Sequence, residues 1–237
     1  MASPIKDRPT GLPLQSDRVI DAAVRFVDEH GVDALSIRRL AAELGVGAMT
    51  IYNHVPNKAG LLDGICERVV TALDLDPETP GSWEDRIRSY AWAFRATALS
   101  HPGAFPLLLT RQLASSEALR PTDIALAPLR DAGLDADTAV HTLRAFMSFQ
   151  TGCILRELGA SPTFSGSSAS GVAARRAELA ESGFANVVDA ADALSRCHHE
   201  SEYRFGIELL ISGLQATIAA DREGPSTSAA EDEGQLK

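Results

Sequence analysis

Residues 36–54 of the chain read SIRRLAAELGVGAMTIYNH, and this stretch decides the fold that we predict. Ser36 is a preferred N-cap residue, and the apolar residues after it recur at three- and four-residue spacing, which indicates a short helix. Gly45 ends that helix, because glycine tolerates the left-handed backbone that a tight turn between two helices requires. A second short helix is predicted from about Ala48 to His54. The stretch therefore indicates a helix-turn-helix, a motif that enters DNA.

The second helix of this motif has an outer face that suits a DNA groove better than water. Its core positions are Ile51 and Val55. The remaining side chains are small, hydroxyl, aromatic, thioether, imidazole or amide groups without a pattern of charge pairs: Ala48, Met49, Thr50, Tyr52, Asn53 and His54. Asparagine can pair with the edge of an adenine, and a tyrosine hydroxyl can bond a phosphate. The alternative is that Tyr52 and His54 only pack the small domain.

Two further helices surround the motif. The first is predicted from the Ser16 cap to the stop at Gly31. The other begins after Asn57, and Lys58 lies in its first turn, where the helix dipole disfavours a cation. A phosphate bound there would face both the free N–H groups and the ammonium. Lys58 is therefore a candidate DNA contact.

The composition favours an all-helical protein. Of the 237 residues 45% are hydrophobic and only 5% are aromatic, alanine and leucine abound, and runs of β-branched residues with period two are scarce. No apolar run approaches the ~20 residues of a membrane span, and the N-terminus lacks the apolar core of a signal peptide. We therefore expect a cytoplasmic protein without membrane association.

The net charge and the cysteine spacing bear on whether the protein can bind DNA or a metal ion. The net charge is −10, but residues 1–75 hold eight Lys/Arg and ten Asp/Glu, a balance of −2. A DNA-binding protein needs a local basic surface and not a basic whole, so this charge does not exclude DNA. Cys66, Cys153 and Cys197 lie far apart without metal-ligand spacing, which indicates buried, reduced thiols.

The rest of the chain reads as a helical body behind the DNA-binding part. Helices are predicted over about residues 82–100, 116–132 and 135–158, with Asp135 as the cap of the third. A last helix, about residues 198–220, is apolar on more than one face, so it needs a second surface that a partner subunit could supply.

The residues of the first motif carry a family resemblance. LSIRRLAAELGVGAMTIYNHVPNKAGLLDGI, residues 35–65, resembles the helix-turn-helix of TetR-family transcriptional regulators. SWEDRIRSYAWAFRATALSH, FMSFQTGCILRE and YRFGIELLISGL resemble the ligand-binding and dimerisation domain of the tetracycline repressor subgroup. The resemblance implies an all-α fold with an N-terminal three-helix helix-turn-helix domain and a helical ligand-binding and dimerisation domain.

The resemblance also implies a domain organisation. We expect a mobile N-terminal arm over residues 1–15 and a DNA-binding domain with its linking helix over residues 16–74. A ligand-binding and dimerisation domain is expected over residues 82–220, in which two helices from each of two chains form a four-helix interface. A disordered tail is expected over residues 221–237.

Site residues are transferred from the resemblance position by position. Candidate DNA contacts are Ser36, Ile37, Arg38, Ala48, Met49, Thr50, Tyr52, Asn53, His54 and Lys58. Candidate effector contacts are Tyr90, Phe94, Arg111 and Phe146. Ordinary packing is the alternative for Tyr90 and Phe94. Because Gly47, Ala48, Met49 and Asn53 depart from the tetracycline repressor pattern, we expect a different operator sequence.

A metal site is not expected. The tetracycline repressor binds a drug–magnesium chelate through a histidine and, by way of water, a glutamate, which Glu157 matches approximately. The histidine position falls in the Leu107–Leu108 region of this chain, so the anchor of such a site is missing. We therefore expect no cofactor and no metal, and a largely apolar effector.

These observations predict a homodimeric, ligand-responsive repressor that binds double-stranded operator DNA. Two other classes of protein, an enzyme and a helical scaffold, are alternatives. An enzyme is disfavoured because the sequence contains no GxSxG, P-loop, GxGxxG or HExxH motif. A helical scaffold protein without specific DNA binding would not need the sparse polar side chains on the outer face of the second helix of the motif.

Overall fold

The computed structural model describes residues 16–111, 115–159 and 168–223, with the backbone alone over residues 221–223. Within these ranges the fold is all-α, as predicted. The helices are α1 Ser16–His30, α2 Ile37–Glu43, α3 Ala48–Tyr52, α4 Lys58–Thr71, α5 Trp83–Ser100, α6 Ser116–Asp131, α7 Ala136–Glu157, α8 Ala169–Ala180, α9 Ala185–Asp189, α10 Ala191–Leu194 and α11 His199–Glu223. Short 3-10 turns occur at Val32–Ala34 and Phe105–Leu109.

Some expectations concern residues that the structure does not describe. The predicted arm over residues 1–15 lies wholly outside the described ranges, as does the predicted tail beyond residue 223. Among the helices that are described, none combines the length and the apolar character needed to cross a membrane.

The described residues form two compact units. The first contains residues 16–73 and 97–121, and the second contains residues 74–96 and 122–223. The first unit therefore holds the predicted DNA-binding helices together with the segment that follows α5. Its core is apolar and fully buried, with Val19, Ala23, Val27, Leu35, Leu40, Ile51, Leu61 and Ile65 at its centre.

The turn and caps of the helix-turn-helix follow from the local sequence. The Ser36 hydroxyl accepts a hydrogen bond from the Arg39 N–H at 3.2 Å and starts α2. Gly45 has φ +65°, the left-handed conformation predicted for the turn. Helix α3 ends at Tyr52, two residues earlier than predicted, because the His54 N–H bonds the Ile51 carbonyl three residues back and tightens the last turn.

A buried carboxylate fixes the segment after α5 to helix α1 in the first unit. Asp28 Oδ1 accepts hydrogen bonds from the N–H groups of Gly103 and Ala104, each at 3.0 Å, and Asp28 Oδ2 lies 2.9 Å from His101 Nδ1. The Asp28 side chain is only 16% exposed. A Cβ built on Gly103 would lie 2.2 Å from the Val27 carbonyl oxygen, so the two backbones touch. One side chain thus ties together residues more than 70 positions apart.

Replacing Asp28 by alanine is expected to lower the free energy of unfolding by about 3 kcal/mol, because two N–H groups lose their acceptor in a largely buried site. Asp28→Asn is the matched control. It keeps an acceptor oxygen of the same shape and should lose less than half as much. Urea unfolding followed by circular dichroism measures both variants. An alanine variant as stable as the unsubstituted protein would contradict this role of Asp28.

Helices α5, α7 and α11 contribute the centre of the second unit. Tyr203 of α11 is 1% exposed, and its hydroxyl oxygen lies within hydrogen-bonding distance of the Ala91 carbonyl at 2.6 Å and of Gln150 Oε1 at 2.7 Å. Burial raises the pKa of the Tyr203 phenol well above its ordinary value. The Phe149 ring packs directly on Gly206, where a Cβ would lie 1.9 Å from the ring. These contacts fix α7 and α11 against each other and against α5.

The short helices α8, α9 and α10 were not predicted. Residues 168–171 lie in a Gly/Ser-rich stretch of the sequence, whose composition is typical of a loop, but the Ser168 hydroxyl accepts a hydrogen bond from the Gly171 N–H at 3.1 Å and starts α8. Few side chains in this region are buried, Leu179, Ala191 and Ser195 among them. Such a sparse apolar pattern leaves little periodic signal in the sequence.

Candidate nucleic-acid interface

The orientation of α3 is set by its apolar residues. Ile51 is fully buried and Val55, just past the helix, is 5% exposed. Met49 lies two positions before Ile51 and Asn53 two positions after it, so both project from the side of the helix opposite the core. Met49 is 73% exposed, more than the exposed apolar side chains Leu109 and Leu119 of the same unit, and Asn53 is also exposed. These two residues, four positions apart, form the outermost ridge of α3.

The other predicted contacts of this region are less exposed or already bonded. Ala48 and Thr50 are half-buried beside the ridge, and Tyr52 is 46% exposed. His54 Nδ1 lies 3.2 Å from the Ser16 hydroxyl at the start of α1. This contact gives His54 a role in holding α1 against the end of α3. It agrees with the alternative that His54 packs the small domain.

Helix α2 places neighbouring residues in different environments. Ile37 is 7% exposed and packs in the core, so only its backbone could reach DNA. Arg39 donates to the Ala34 carbonyl at 2.9 Å, and its guanidinium lies 5.2 Å from the Phe26 ring centroid. Arg38 is exposed and forms no ion pair or side-chain hydrogen bond with the residues that the structure describes. Arg38 is therefore the arginine of α2 that can bind a nucleic acid.

The start of α4 provides a second cation. The Asn57 side chain accepts a hydrogen bond from the Gly60 N–H at 2.9 Å, as predicted for a cap. Lys58 is exposed and has no carboxylate partner within the described ranges. By contrast, Arg68 near the other end of α4 is neutralised by Asp17 at 3.0 Å and Asp21 at 2.8 Å. The free cations of the candidate interface thus include Arg38 and Lys58, which sit at or near the starts of α2 and α4.

The four predicted effector residues do not all lie in one unit. Tyr90, Phe94 and Phe146 belong to the second unit, and Arg111 belongs to the first. Tyr90 is 7% exposed and its hydroxyl donates to the Asp76 carbonyl at 2.9 Å. Phe94 is half-buried and Phe146 is 5% exposed.

Arg111 is engaged by helix α4. Its guanidinium Nη1 bonds the Asp63 carboxylate and also donates to the Ala59 carbonyl at 3.3 Å. The guanidinium therefore already holds the end of the 3-10 turn segment against the helix that begins with Lys58. An effector that used Arg111 would have to compete with Asp63.

Sequence reasoning missed a largely buried ion pair in the second unit. Arg95 of α5 donates to both carboxylate oxygens of Glu157 on α7, at 3.0 and 2.5 Å. The two side chains are 13% and 18% exposed. The guanidinium also lies 5.5 Å from the Trp92 ring and 5.8 Å from the Tyr203 ring, within the range of cation–π attraction.

The ion pair bears on the metal site considered for Glu157. A carboxylate that is already neutralised by a bidentate guanidinium is a poor ligand for a second cation. Elsewhere, the residues that the structure describes contain no group of three or more His, Cys, Asp or Glu side chains placed to hold a metal ion. The Glu157 side chain is thus committed to Arg95.

The cysteines are only partly as predicted. Cys66 and Cys153 are buried free thiols, and Cys197 is half-buried. Burial raises the pKa of the Cys66 thiol to about 11 and also raises that of Cys153, so both remain protonated near neutral pH. Cys197 Sγ lies 3.4 Å from His199 Nδ1 at the start of α11.

An apolar ridge is exposed on α11. Phe205 is 71% exposed and Leu209 is 61% exposed, and their spacing of four residues places them on one side of the helix. Gly213, one turn further along, has nothing within 4 Å of a Cβ position, and the same holds for Gly152 on α7. Large apolar side chains exposed together on one side of a helix are typical of surfaces that another protein covers.

Comparisons with known proteins match both parts of the chain. Residues 76–218 match the family described as tetracyclin repressor-like, C-terminal domain, and residues 19–65 match bacterial regulatory proteins of the tetR family. An HTH-type transcriptional regulator of Saccharopolyspora erythraea is 32% identical over 154 residues, and this alignment spans 65% of each chain, slightly less than two thirds. The tetracycline repressor protein class A from transposon 1721 of Escherichia coli is 29% identical over 90% of this chain and 96% of its own.

Solved structures are similar over nearly the whole chain. The crystal structure of apo ActR from Streptomyces coelicolor superposes with a TM-score of 0.78 at 25% identity and covers 89% of this chain and 99% of its own. ActR has also been crystallised in complex with actinorhodin and with (S)-DNPA.

Proposed function

Because the chain belongs to the TetR family of bacterial regulatory proteins, we propose that it is a homodimeric transcriptional repressor that a small-molecule effector releases from operator DNA. The observation that carries the DNA-binding part is the surface made by the α3 ridge together with Arg38 and Lys58. This surface combines exposed groups that can read base edges with unpaired cations that can bind phosphates.

Four of the predicted contacts have separate parts in the proposed function. Lys58 lies in the first turn of α4, where a bound phosphate would meet the ammonium and the free N–H groups of the helix. Arg38 is free to contact a phosphate or a base edge. Met49 and Asn53 would meet base edges, because both are exposed on the side of α3 opposite the core. Phosphate contacts would set the register and base contacts the sequence preference.

The exposed α11 ridge and the geometry of operator recognition support a dimer. Two copies that pair through Phe205 and Leu209 around a two-fold axis would bury both exposed side chains in each chain. Two α3 helices would then read half-sites of a near-palindromic operator about one helical turn apart or somewhat more. We propose residues 16–74 as the DNA-binding domain and residues 82–220 as the domain that binds the effector and dimerises.

The effector is expected to be a largely apolar small molecule. Tyr90, Phe94 and Phe146 are aromatic residues of the second unit, and Glu157 is occupied by Arg95. The complexes of ActR with actinorhodin and (S)-DNPA support a small-molecule role in this family. By thermodynamic linkage, operator DNA must weaken effector binding by the same factor by which the effector weakens operator binding. Equal effector affinity with and without operator would remove the release mechanism.

Lys58→Ala tests the DNA-binding proposal. It should weaken binding to specific and unrelated DNA alike and lower the slope of log affinity against log salt by about one, because one phosphate contact is lost. Asn53→Ala is the companion variant. It should change the preference among base pairs and leave the salt slope unchanged.

Fluorescence anisotropy with the DNA upstream of the gene, at several salt concentrations, measures both variants. Circular dichroism checks their folding, which should be unchanged because both side chains are exposed. If neither substitution alters the affinity for any DNA that the protein binds, the assignment of this surface is wrong. Turnover of a small molecule without DNA binding would instead point to an enzyme.

A further inference from the structure

The centre of the candidate interface, which is α3 with its flanking segments, carries no acidic side chain, lysine or arginine. From Leu44 to Asn57 the sequence contains neither Lys, Arg, Asp nor Glu. Guanine is most often read by an arginine or lysine that reaches its O6 and N7, and cytosine by a carboxylate that accepts from its N4 amino group. Helix α3 therefore offers none of the charged groups that most often distinguish a G·C pair.

The α3 ridge offers a different pair of chemical groups. Met49 is a long thioether with 73% of its surface exposed, and Asn53 is an exposed amide on the next turn of the same side. The Asn53 backbone N–H closes the helix by donating to the Met49 carbonyl at 3.2 Å. Its side chain forms no hydrogen bond with any residue in the described ranges, so its carbonyl and amino groups are both available.

The approach to this ridge is open. Gly47 caps α3 without a side chain, and a Cβ built there would meet nothing closer than Thr50 Oγ1 at 4.0 Å. Ala48 adds only a methyl group beside it. The two residues before Met49 therefore put no bulky side chain beside it at the start of α3.

An A·T pair presents a partner for each of the two groups of the α3 ridge, the Asn53 amide and the Met49 thioether. In the major groove the adenine N6 amino group can donate to an asparagine side-chain carbonyl while N7 accepts from its amide N–H, and the thymine C5-methyl group is an apolar contact. A thioether gains by burying that methyl, whereas cytosine and guanine offer no methyl at all. Exposed in water, the Met49 side chain has no comparable apolar contact.

We propose that the operator positions facing α3 are A·T pairs, recognised by packing of the Met49 side chain on a thymine C5-methyl group next to an Asn53–adenine contact. This inference rests on the proposed DNA-binding function and adds the base class that the surface selects. It makes the thymine methyl, and not a charged group, the feature that Met49 reads.

The test uses the full-length protein and DNA obtained by repeated selection from a random pool. The enriched sequence should contain a thymine in each half-site whose replacement by deoxyuridine weakens binding about fourfold per half-site, the value expected for one buried methyl group. Met49→Ala should weaken binding to the thymine operator by a similar or larger factor. The Met49→Ala protein should bind the deoxyuridine operator as tightly as the thymine operator, because the substitution has already removed the contact between residue 49 and the methyl group.

Two controls keep the outcomes separate. Lys58→Ala should lose the same factor on thymine and deoxyuridine operators, since a phosphate contact does not depend on the methyl. Deoxyuridine placed outside the enriched half-sites should have no effect. If selection enriches a sequence but no thymine methyl matters to the unsubstituted protein, or Met49→Ala is equally sensitive to its removal, the Met49 proposal is wrong and DNA binding stands. If selection enriches no sequence, the proposed function itself fails.

Discussion

Leu209→Arg is expected to convert the protein from a dimer to a monomer and to weaken operator binding by more than about a hundredfold. Leu209 is 61% exposed on the α11 ridge, so an arginine there would remain solvated in a single chain and leave its fold intact. In a two-fold interface every substitution occurs twice, and an uncompensated buried charge costs about 3–5 kcal/mol. Two such charges would prevent the partner from covering the ridge.

The same substitution on another exposed leucine provides the control. Leu119 on α6 is 54% exposed, similar to Leu209, and is not part of the α11 ridge. Leu119→Arg should therefore leave both the mass in solution and the operator affinity unchanged. Light scattering after size-exclusion chromatography gives the mass, and anisotropy gives the affinity. A Leu209→Arg protein that remains dimeric would show that copies of the chain associate through a different surface.

Arg95→Leu is expected to lower the free energy of unfolding by about 3 kcal/mol or more, because it leaves the Glu157 carboxylate largely buried without its partner. The guanidinium also contributes attraction to the Trp92 and Tyr203 rings, which the substitution removes. The double variant Arg95→Leu/Glu157→Leu should recover most of that loss, since an apolar pair of similar volume leaves no charge to desolvate.

Arg204 gives a matched control for the aromatic contact. Its guanidinium lies 5.6 Å from the Trp92 ring, but the side chain is 63% exposed and its ion pair with Glu200 is on the surface. Arg204→Leu should therefore change the free energy of unfolding by less than about 1 kcal/mol. Urea unfolding of the three variants and the unsubstituted protein measures these differences. A double variant as unstable as Arg95→Leu alone would show that the loss does not arise from the unpaired carboxylate.

The parts of this fold that sequence predicted are those set by residues close together in the chain. Ser36, Asn57 and Asp135 each accept a hydrogen bond from the N–H three residues later, and Gly45 adopts its left-handed turn. Such contacts depend on side-chain chemistry at fixed short spacing, so a pattern is enough to identify them.

The interactions that sequence did not predict join residues far apart. Asp28 bonds a segment 73 to 76 positions later, and Arg95 meets Glu157 across 62 positions. No local pattern identifies either pair, because a charged residue that is buried against a distant partner cannot be distinguished in the sequence from one that is exposed on a helix surface. Neighbouring residues of the candidate site differ in exposure because packing against distant residues decides which side chain is buried. Ile37 and Arg38 were both predicted to contact DNA, yet packing buries the first and leaves the second exposed.

The Asp28 contact has a practical consequence for building hybrid regulators. The partners that the structure describes for the Asp28 carboxylate on α1 are His101, Gly103 and Ala104, which lie beyond the predicted boundary of the DNA-binding domain at residue 74. A graft that transfers residues 16–74 alone onto a foreign sensor would carry an acceptor without its donors and a Val27 backbone without its glycine neighbour. The transferable module is discontinuous: residues 16–73 need residues 97–121 of the same protein to travel with them.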